Sequence, residues 1–356
     1  MIRAITFAPN LVLLKRAFTF MKHTLQTALC LLFIQLLLVS CDDDKLNIDT
    51  SQIEIKVSME RLDSLWPKMT PVSFRREHPR LLDEHTEVYT HYIQDVLNLG
   101  KVTDSNLFAA IRSFVTHPDF SEVFAEVNSQ YADLGPFQEE LESAWRRYKY
   151  YFPQKQVPNH LACVGGFNSP FIMTENEVGI CLELFLGRDC KYYEYLQWPL
   201  YQRKRMTNEH LTPWLMKGWM ETEYPVQLGQ TTLLQDIIHQ GKILYSLDAI
   251  LPHTGDTLKI GYATKELKWA KDHERMVWAH FVDNELLFNS EPSLIGKFTN
   301  DGPFTVDLVK ESPSRMGHYI GWQIVRAYME NQDTVDLEGL MQTEAQTILN
   351  QSKYKP

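Results

Sequence analysis

Acidic side chains are absent from the first 40 residues, and long apolar runs are absent after them. No Gly-x-Ser-x-Gly turn occurs, which excludes the strained nucleophile elbow of an α/β-hydrolase. A glycine-rich loop closing on Lys-Ser/Thr is also missing, and with it the usual cradle for nucleotide phosphates. His-Glu-x-x-His does not appear, so no helix offers two imidazoles one turn apart beside a glutamate that could take a proton from metal-bound water. No unit repeats at a fixed spacing, which disfavours a helical solenoid. Cysteine is scarce: five residues, of which only Cys163, Cys181 and Cys190 lie beyond position 41. A chain of this length needs no disulfide framework, so buried free thiols are expected, with Cys181–Cys190 the pair considered if an oxidising compartment allowed a bridge.

What is present begins at the amino end. Lys22 and His23 follow Met21 and precede a dense apolar stretch over residues 28–40, which closes on Leu38-Val39-Ser40-Cys41. A basic start, an apolar core and small residues before a cleavage point form the layout of an export signal. The stretch falls short of the about 20 apolar residues that span a bilayer. Leu38-Val39-Ser40-Cys41 resembles the bacterial lipobox, in which the cysteine thiol receives diacylglycerol. Cys41 is therefore expected to carry lipid and fatty acyl chains such as palmitate. Residues 1–20 do not fit this layout and read as an upstream extension, residues 21–40 as the signal peptide, 41–50 as a flexible polar tether, and 51–356 as one domain.

Removing residues 1–40 takes away four bases and no acids, so the mature charge is 31 − 45 = −14. Such a balance argues against nucleic acid, whose binding relies on Lys and Arg neutralising phosphates. At 44% hydrophobic with 8 Trp and 16 Tyr, the chain can build a substantial core.

Periodicity predicts a strand over 53–57, then a short helix or turn over 59–66. Helices are expected over 81–99, 107–115, 121–131 and 137–151. Strands at 161–164, 171–174 and 178–185 follow, the last two joined by a turn at Glu175-Asn176-Glu177. Helices resume over 233–251, over 264–281 with Thr264 as cap, and from Ser312-Pro313 to about Met329. The class is α+β, mostly helical with one small sheet.

Twelve histidines make zinc worth testing. His239-Gln240-Gly241-Lys242-Ile243 lacks the glutamate and the second imidazole; His273-Glu274-Arg275-Met276-Val277 ends in valine. His273 and His280 stand two turns apart, about 10.5 Å along a helix axis, too far to share one ion. His78, His85 and His91 are spaced as poorly. His239 is the weak metal candidate, no catalytic set is complete, and no cofactor is expected. Trp214-Leu215-Met216-Lys217-Gly218-Trp219-Met220 reads as core. Gly317 and Gly321 lie one turn apart in a helix where each costs about 1 kcal/mol against Ala, so another element should approach closely there. The sharper reading of this segment is a cleft lined by Arg315, His318 and Tyr319.

Several stretches in order carry a family likeness: Ile55-Lys56-Val57-Ser58-Met59-Glu60-Arg61-Leu62-Asp63, Val178-Gly179-Ile180-Cys181-Leu182-Glu183-Leu184-Phe185-Leu186-Gly187, Gln240-Gly241-Lys242-Ile243-Leu244-Tyr245, Arg315-Met316-Gly317-His318-Tyr319-Ile320-Gly321-Trp322-Gln323-Ile324-Val325, and Ser352-Lys353-Tyr354-Lys355-Pro356. With the lipobox, they resemble the gliding-motility lipoprotein GldB family of the Bacteroidota over nearly the whole mature chain. The resemblance implies a lipid-anchored envelope protein serving gliding and its associated secretion machinery through contacts with other envelope proteins, without catalysis. The implied location is the outer membrane facing the periplasm, with the cell surface second because of Asp42-Asp43-Asp44. Family members also occur in non-gliding bacteria. The family itself resembles zinc peptidases, which implies a degenerate zincin-like fold in which only His239 survives of the metal set. A zinc-dependent peptidase with non-adjacent ligands is the alternative.

Overall fold

The backbone after the amino-terminal segment condenses around two unlike parts, a small mixed sheet and a layer of long helices. The computed structural model describes residues 45–226 and 231–356. The expected extension, signal peptide, lipobox and Cys41 therefore lie outside the described residues. Ile48–Pro356 forms one compact unit.

Four short strands make the sheet: β1 (Met59–Arg61), β2 (Asn159–Cys163), β3 (Phe171–Met173) and β4 (Glu177–Cys181), in the order β1-β2-β4-β3. β1, β2 and β4 run parallel, with Met59 opposite His160 and Cys163 opposite Cys181. β3 returns antiparallel from β4, as the expected turn at 175–177 requires. β4 is buried along its whole length, as befits a strand covered on both faces. Cys163 and Cys181 bring their sulfurs to 3.7 Å as free thiols, so the nearest neighbour of Cys181 is Cys163 and not Cys190.

The strand expected over 53–57 does not form. Val57 gives its N–H to the Glu142 carboxylate and receives Gln138 Nε2 on its carbonyl, so side chains of a helix satisfy the backbone groups a strand partner would have taken. Pairing starts two residues later, at Met59, where a helix or turn was expected.

The first helices are α1 (Leu62–Leu65), α2 (Pro71–Glu84) and α3 (Thr86–His91). Thr70 caps α2 in a reciprocal pair with Ser73. The single helix expected over 81–99 is interrupted at His85 and ends in a π-helical turn over Tyr92–Val96 before Gly100 at φ +104°. Glu177 explains the interruption: its Oε2 accepts the N–H groups of Glu87 and Val88, fastening a fresh helix start to the sheet. α4 (Leu107–Thr116), α5 (Pro118–Gln130) and α6 (Gly135–Tyr151) follow within a few residues of expectation. α6 buries Trp145 and Tyr148 against the sheet and the later helices.

After the sheet come α7 (Lys191–Tyr195), α8 (Leu200–Arg203) and α9 (Leu211–Glu223). Next are α10 (Leu233–Ile250), α11 (Asp256–Ile260), α12 (Thr264–Asp272), α13 (Glu274–Asp283) and α14 (Pro292–Thr299). The chain closes with α15 (Met316–Glu330), α16 (Leu337–Gln342) and α17 (Ala345–Ser352). α10 starts where Thr232 and Gln235 form a capping box, and it is buried nearly all round, as a core helix should be. The helix expected over 264–281 is two, broken at His273, and its cap position is Ala263, whose N–H goes to Glu266 Oε2. Ser312-Pro313 does not open a helix either. Thr305 Oγ1 takes the Met316 N–H, Ser312 takes the Thr305 N–H, and α15 starts after Arg315 in the left-handed region at φ 58°.

α10 and α15 cross at their glycines. A Cβ on Gly241 would stand 2.3 Å from the Gly321 carbonyl oxygen, and one on Gly321 would stand 1.7 Å from the Ile237 carbonyl oxygen. The two backbones touch, which is why the sequence tolerates glycine in both helix interiors.

Candidate functional site

The glycine contact fixes what surrounds the amino end of α15. Arg315 precedes its first turn and His318 points from it, buried at 9% exposure. Arg315 reaches the Ile260 carbonyl at 3.0 Å and lies 3.5 Å from Asp301 Oδ1. Arg205, just after α8 and 6% exposed, ion-pairs with the same Asp301 through its terminal nitrogen. Lys217 and Glu221 pair one turn apart on α9, and Lys204 pairs with Glu266. Trp214 lies beneath the Arg205 guanidinium at 5.2 Å, and Tyr262 faces that of Arg315 at 6.0 Å. Gly261, at φ +74°, has no room for a Cβ beside Arg205 Cδ.

This is a cationic neighbourhood in an acidic protein. Burial, then Arg315, Lys217 and His239, push the His318 imidazole well below its ordinary pKa. Burial and Lys242 lower His239, with Glu221 working the other way. Burial, then Arg205 and Lys204, bring His210 down to about 4. Burial works to raise the Asp301 carboxyl, yet Arg315 and Arg205 hold it below the usual carboxylate range. Burial and the neighbouring cations therefore favour the neutral form of these imidazoles.

The structure joins three of the four residues singled out by sequence and separates the fourth. His318 lies within electrostatic reach of Arg315, Lys217 and His239, each of which disfavours its protonated form. Tyr319 is not in that group. One residue along a helix is a rotation of about 100°, and the Tyr319 hydroxyl donates to Glu274 Oε2 at 2.9 Å while Tyr354 donates to Oε1 at 2.7 Å. Of the expected cleft of Arg315, His318 and Tyr319, the Tyr319 hydroxyl is thus engaged with Glu274, while Arg315 shares Asp301 with Arg205. Arg205 and Lys217 carried no signal in sequence, because nothing local distinguishes them from surface bases.

The metal reading of α10 can be tested on its own residues. Ile243, at the second-histidine position, is fully buried in the core. Lys242 is committed to the Met341 and Thr343 carbonyls, and its burial lowers it to about 8. His239 thus has cations for neighbours where a zinc site would need further ligands. Among the described residues, one other trio could bring ligand atoms together: Glu60, Glu84 and His85. Arg80 already sits in it, bonding both Glu60 oxygens at 2.9 and 3.1 Å and Glu84 as well, so a fixed guanidinium supplies the positive charge.

A cavity of about 660 Å³ lies at the carboxyl end of β1, with walls that include Arg61, Ser64, Lys68, Val115, Phe124 and Asn128. Its polar groups are largely spent: Arg61 binds Asp63 through two nitrogens, and Asn128 is shared among Ser64, Asp63 and Phe124. Sequence offered no route to it, since three separate segments build it.

Elsewhere the surface exposes Tyr195, Leu196 and Leu200 at 76, 51 and 78% along α7 and α8, a run of large apolar side chains within six positions. Among the described residues no helix is long and apolar enough to cross a membrane. In comparisons with known proteins, a family model described as gliding motility protein GldB matches residues 43–356. No curated protein and no solved structure matches the chain.

Proposed function

From the premise that this chain belongs to the GldB family of gliding-motility lipoproteins, we propose that it supports the gliding machinery and its associated secretion apparatus as a scaffold, through contacts with other envelope proteins and without catalysis. The family match over nearly the whole mature chain carries the reading. It makes the protein a gliding-motility-related lipoprotein of the cell envelope; the finer statements are our own. Lipid on Cys41 holds it to the outer membrane, on the periplasmic side, with the tether of residues 41–50 lifting the domain from the surface. On this reading α10 is the counterpart of a zincin helix that has lost its metal set. Its motif positions now serve packing, through Gly241 and Ile243, and helix capping, through Lys242.

The exposed Tyr195, Leu196 and Leu200 supply a surface suited to a protein partner, since apolar side chains gathered on a soluble face mark contact sites. Replacing Leu200 with Asp should leave the fold and lipidation intact and abolish gliding and secretion in a host that performs both. If deletion of the whole gene leaves both processes untouched in such a host, the scaffold reading falls. The alternative, a zinc peptidase with scattered ligands, requires about one zinc per chain after purification without chelators or a histidine tag. It also requires loss of that zinc in His239→Ala.

A further inference from the structure

The cluster at the head of α15 holds two buried guanidinium donors without acceptors. Arg205 is 6% exposed, and its Nε is a buried donor with no acceptor; the Nε of Arg315 is in the same state, with Asp301 Oδ1 at 3.5 Å but misdirected. Neither His239 nor His318 makes a side-chain hydrogen bond among the described residues. Lys204, Arg205, Lys217 and Arg315 face three carboxylates, Glu266, Asp301 and Glu221, so one cation is left over. Lys242, bonded only to carbonyls, adds a second beside His239.

We propose that Arg205, Arg315 and Lys217, with His239 and His318, form a binding site for a small oxyanion, a carboxylate or phosphate group. A guanidinium offers a planar fork of donors that fits both groups, and paired forks are the usual means of holding them. Asp301 shows that this pair accepts a carboxylate, and the rings of Trp214 and Tyr262 hold the two guanidiniums in place. Neutral imidazoles donate one N–H each without adding charge. The same field opposes a metal cation, so the site favours an anion where the zinc reading would place an ion. The proposal does not rest on the scaffold reading, since an anion site can exist with or without a role in gliding.

The test uses the full chain purified in neutral detergent, titrated with sodium phosphate, sodium acetate and sodium chloride at matched ionic strength. Calorimetry and the melting temperature are the readouts. Phosphate or acetate should bind saturably and raise the melting temperature beyond chloride. Preference for phosphate identifies a phosphate-bearing ligand, and preference for acetate a carboxylate. Lys217→Met should weaken binding about tenfold, a loss readily resolved by titration. The pair Arg205→Gln with Asp301→Asn, which removes both charges of one ion pair, should weaken it further. Tyr319→Phe, on the opposite face, should bind like the parent. Should the double variant fail to fold, Lys217→Met carries the comparison alone. Equal effects of the three salts, or unchanged binding in a folded Lys217→Met, would overturn the site. Neither result bears on gliding, which tests the scaffold separately.

Discussion

One helix, α15, carries two buried ionic clusters that are built in opposite ways. Near its middle, Asp248 accepts Lys259 at 2.9 Å, Trp322 Nε1 at 2.9 Å and Arg326 through two nitrogens at 2.8 and 2.9 Å. Arg326 goes on to bind Asp256 twice and stacks on the Trp322 ring at 3.7 Å. Two carboxylates meet two cations there, and no atom of these four charged groups is a buried orphan. At the head of the same helix, cations outnumber carboxylates and two guanidinium nitrogens lack acceptors. A buried ion group that serves only the fold closes on itself, because an unpaired buried charge is costly. The open cluster departs from that rule, and function is the first place to look for the reason.

The largest effect should come from the contact that lets both clusters share a helix. Gly321→Ala would drive a methyl into the Ile237 carbonyl, with backbone on both sides unable to yield. A loss of roughly 4 kcal/mol or more is expected, among the severe single-residue effects, measured by denaturant unfolding. Asp248→Asn should follow, at about 3–5 kcal/mol, since it strands Lys259 in the interior and leaves Arg326 with Asp256 alone.

Third comes a pH effect just past β4, in the 3-10 turn Leu182–Phe185. Burial raises the Glu183 carboxyl to about 7, against hydrogen bonds from Phe167 and Gly165 that lower it. A raised folded pKa means the native state binds more protons than the unfolded chain between 4.5 and 7. The contribution is present below the lower value and lost as pH rises through the upper one. Unfolding free energy should fall across this window by up to about 1.4 kcal/mol per pH unit, and Glu183→Gln should flatten that slope. The smallest change is expected for Lys217→Met. Its removal breaks a partly exposed pair with Glu221 but relieves repulsion from Arg315 and Arg205, so stability should move by less than about 1 kcal/mol. A loss as large as that for Asp248→Asn would show the two clusters to be alike and erase the contrast.

How much of this was legible follows from where each signal resides. The helices at 107, 135 and 233 announce themselves through apolar spacing, the last also through its Thr232–Gln235 cap, and their ends fall within a few residues of expectation. The glycines of α15 foretold a close approach, and Gly241 is its partner. The start of α15 was not legible, because its first N–H goes to Thr305, a residue well upstream. Nor was the loss of the strand over 53–57, whose alternation is sound but whose backbone partners are side chains of α6. In the site, Arg315 and His318 were found from their own segment. Tyr319, their neighbour in sequence, turns instead to Glu274, because adjacency in sequence is not adjacency around a helix.

By itself the sequence determined the α+β class, the long helices, the acidic charge and the family, since each depends on composition, short-range periodicity or the order of motifs. Only the tertiary structure decided which strands pair, that Cys181 faces Cys163, and that Arg205, Lys217, His239, Arg315 and His318 share one neighbourhood. Those choices depend on contacts between residues a dozen to more than a hundred positions apart. Such contacts are set by the pairing of β2 with β4 and by the packing of α10 against α15, and they leave no trace in any single stretch of chain.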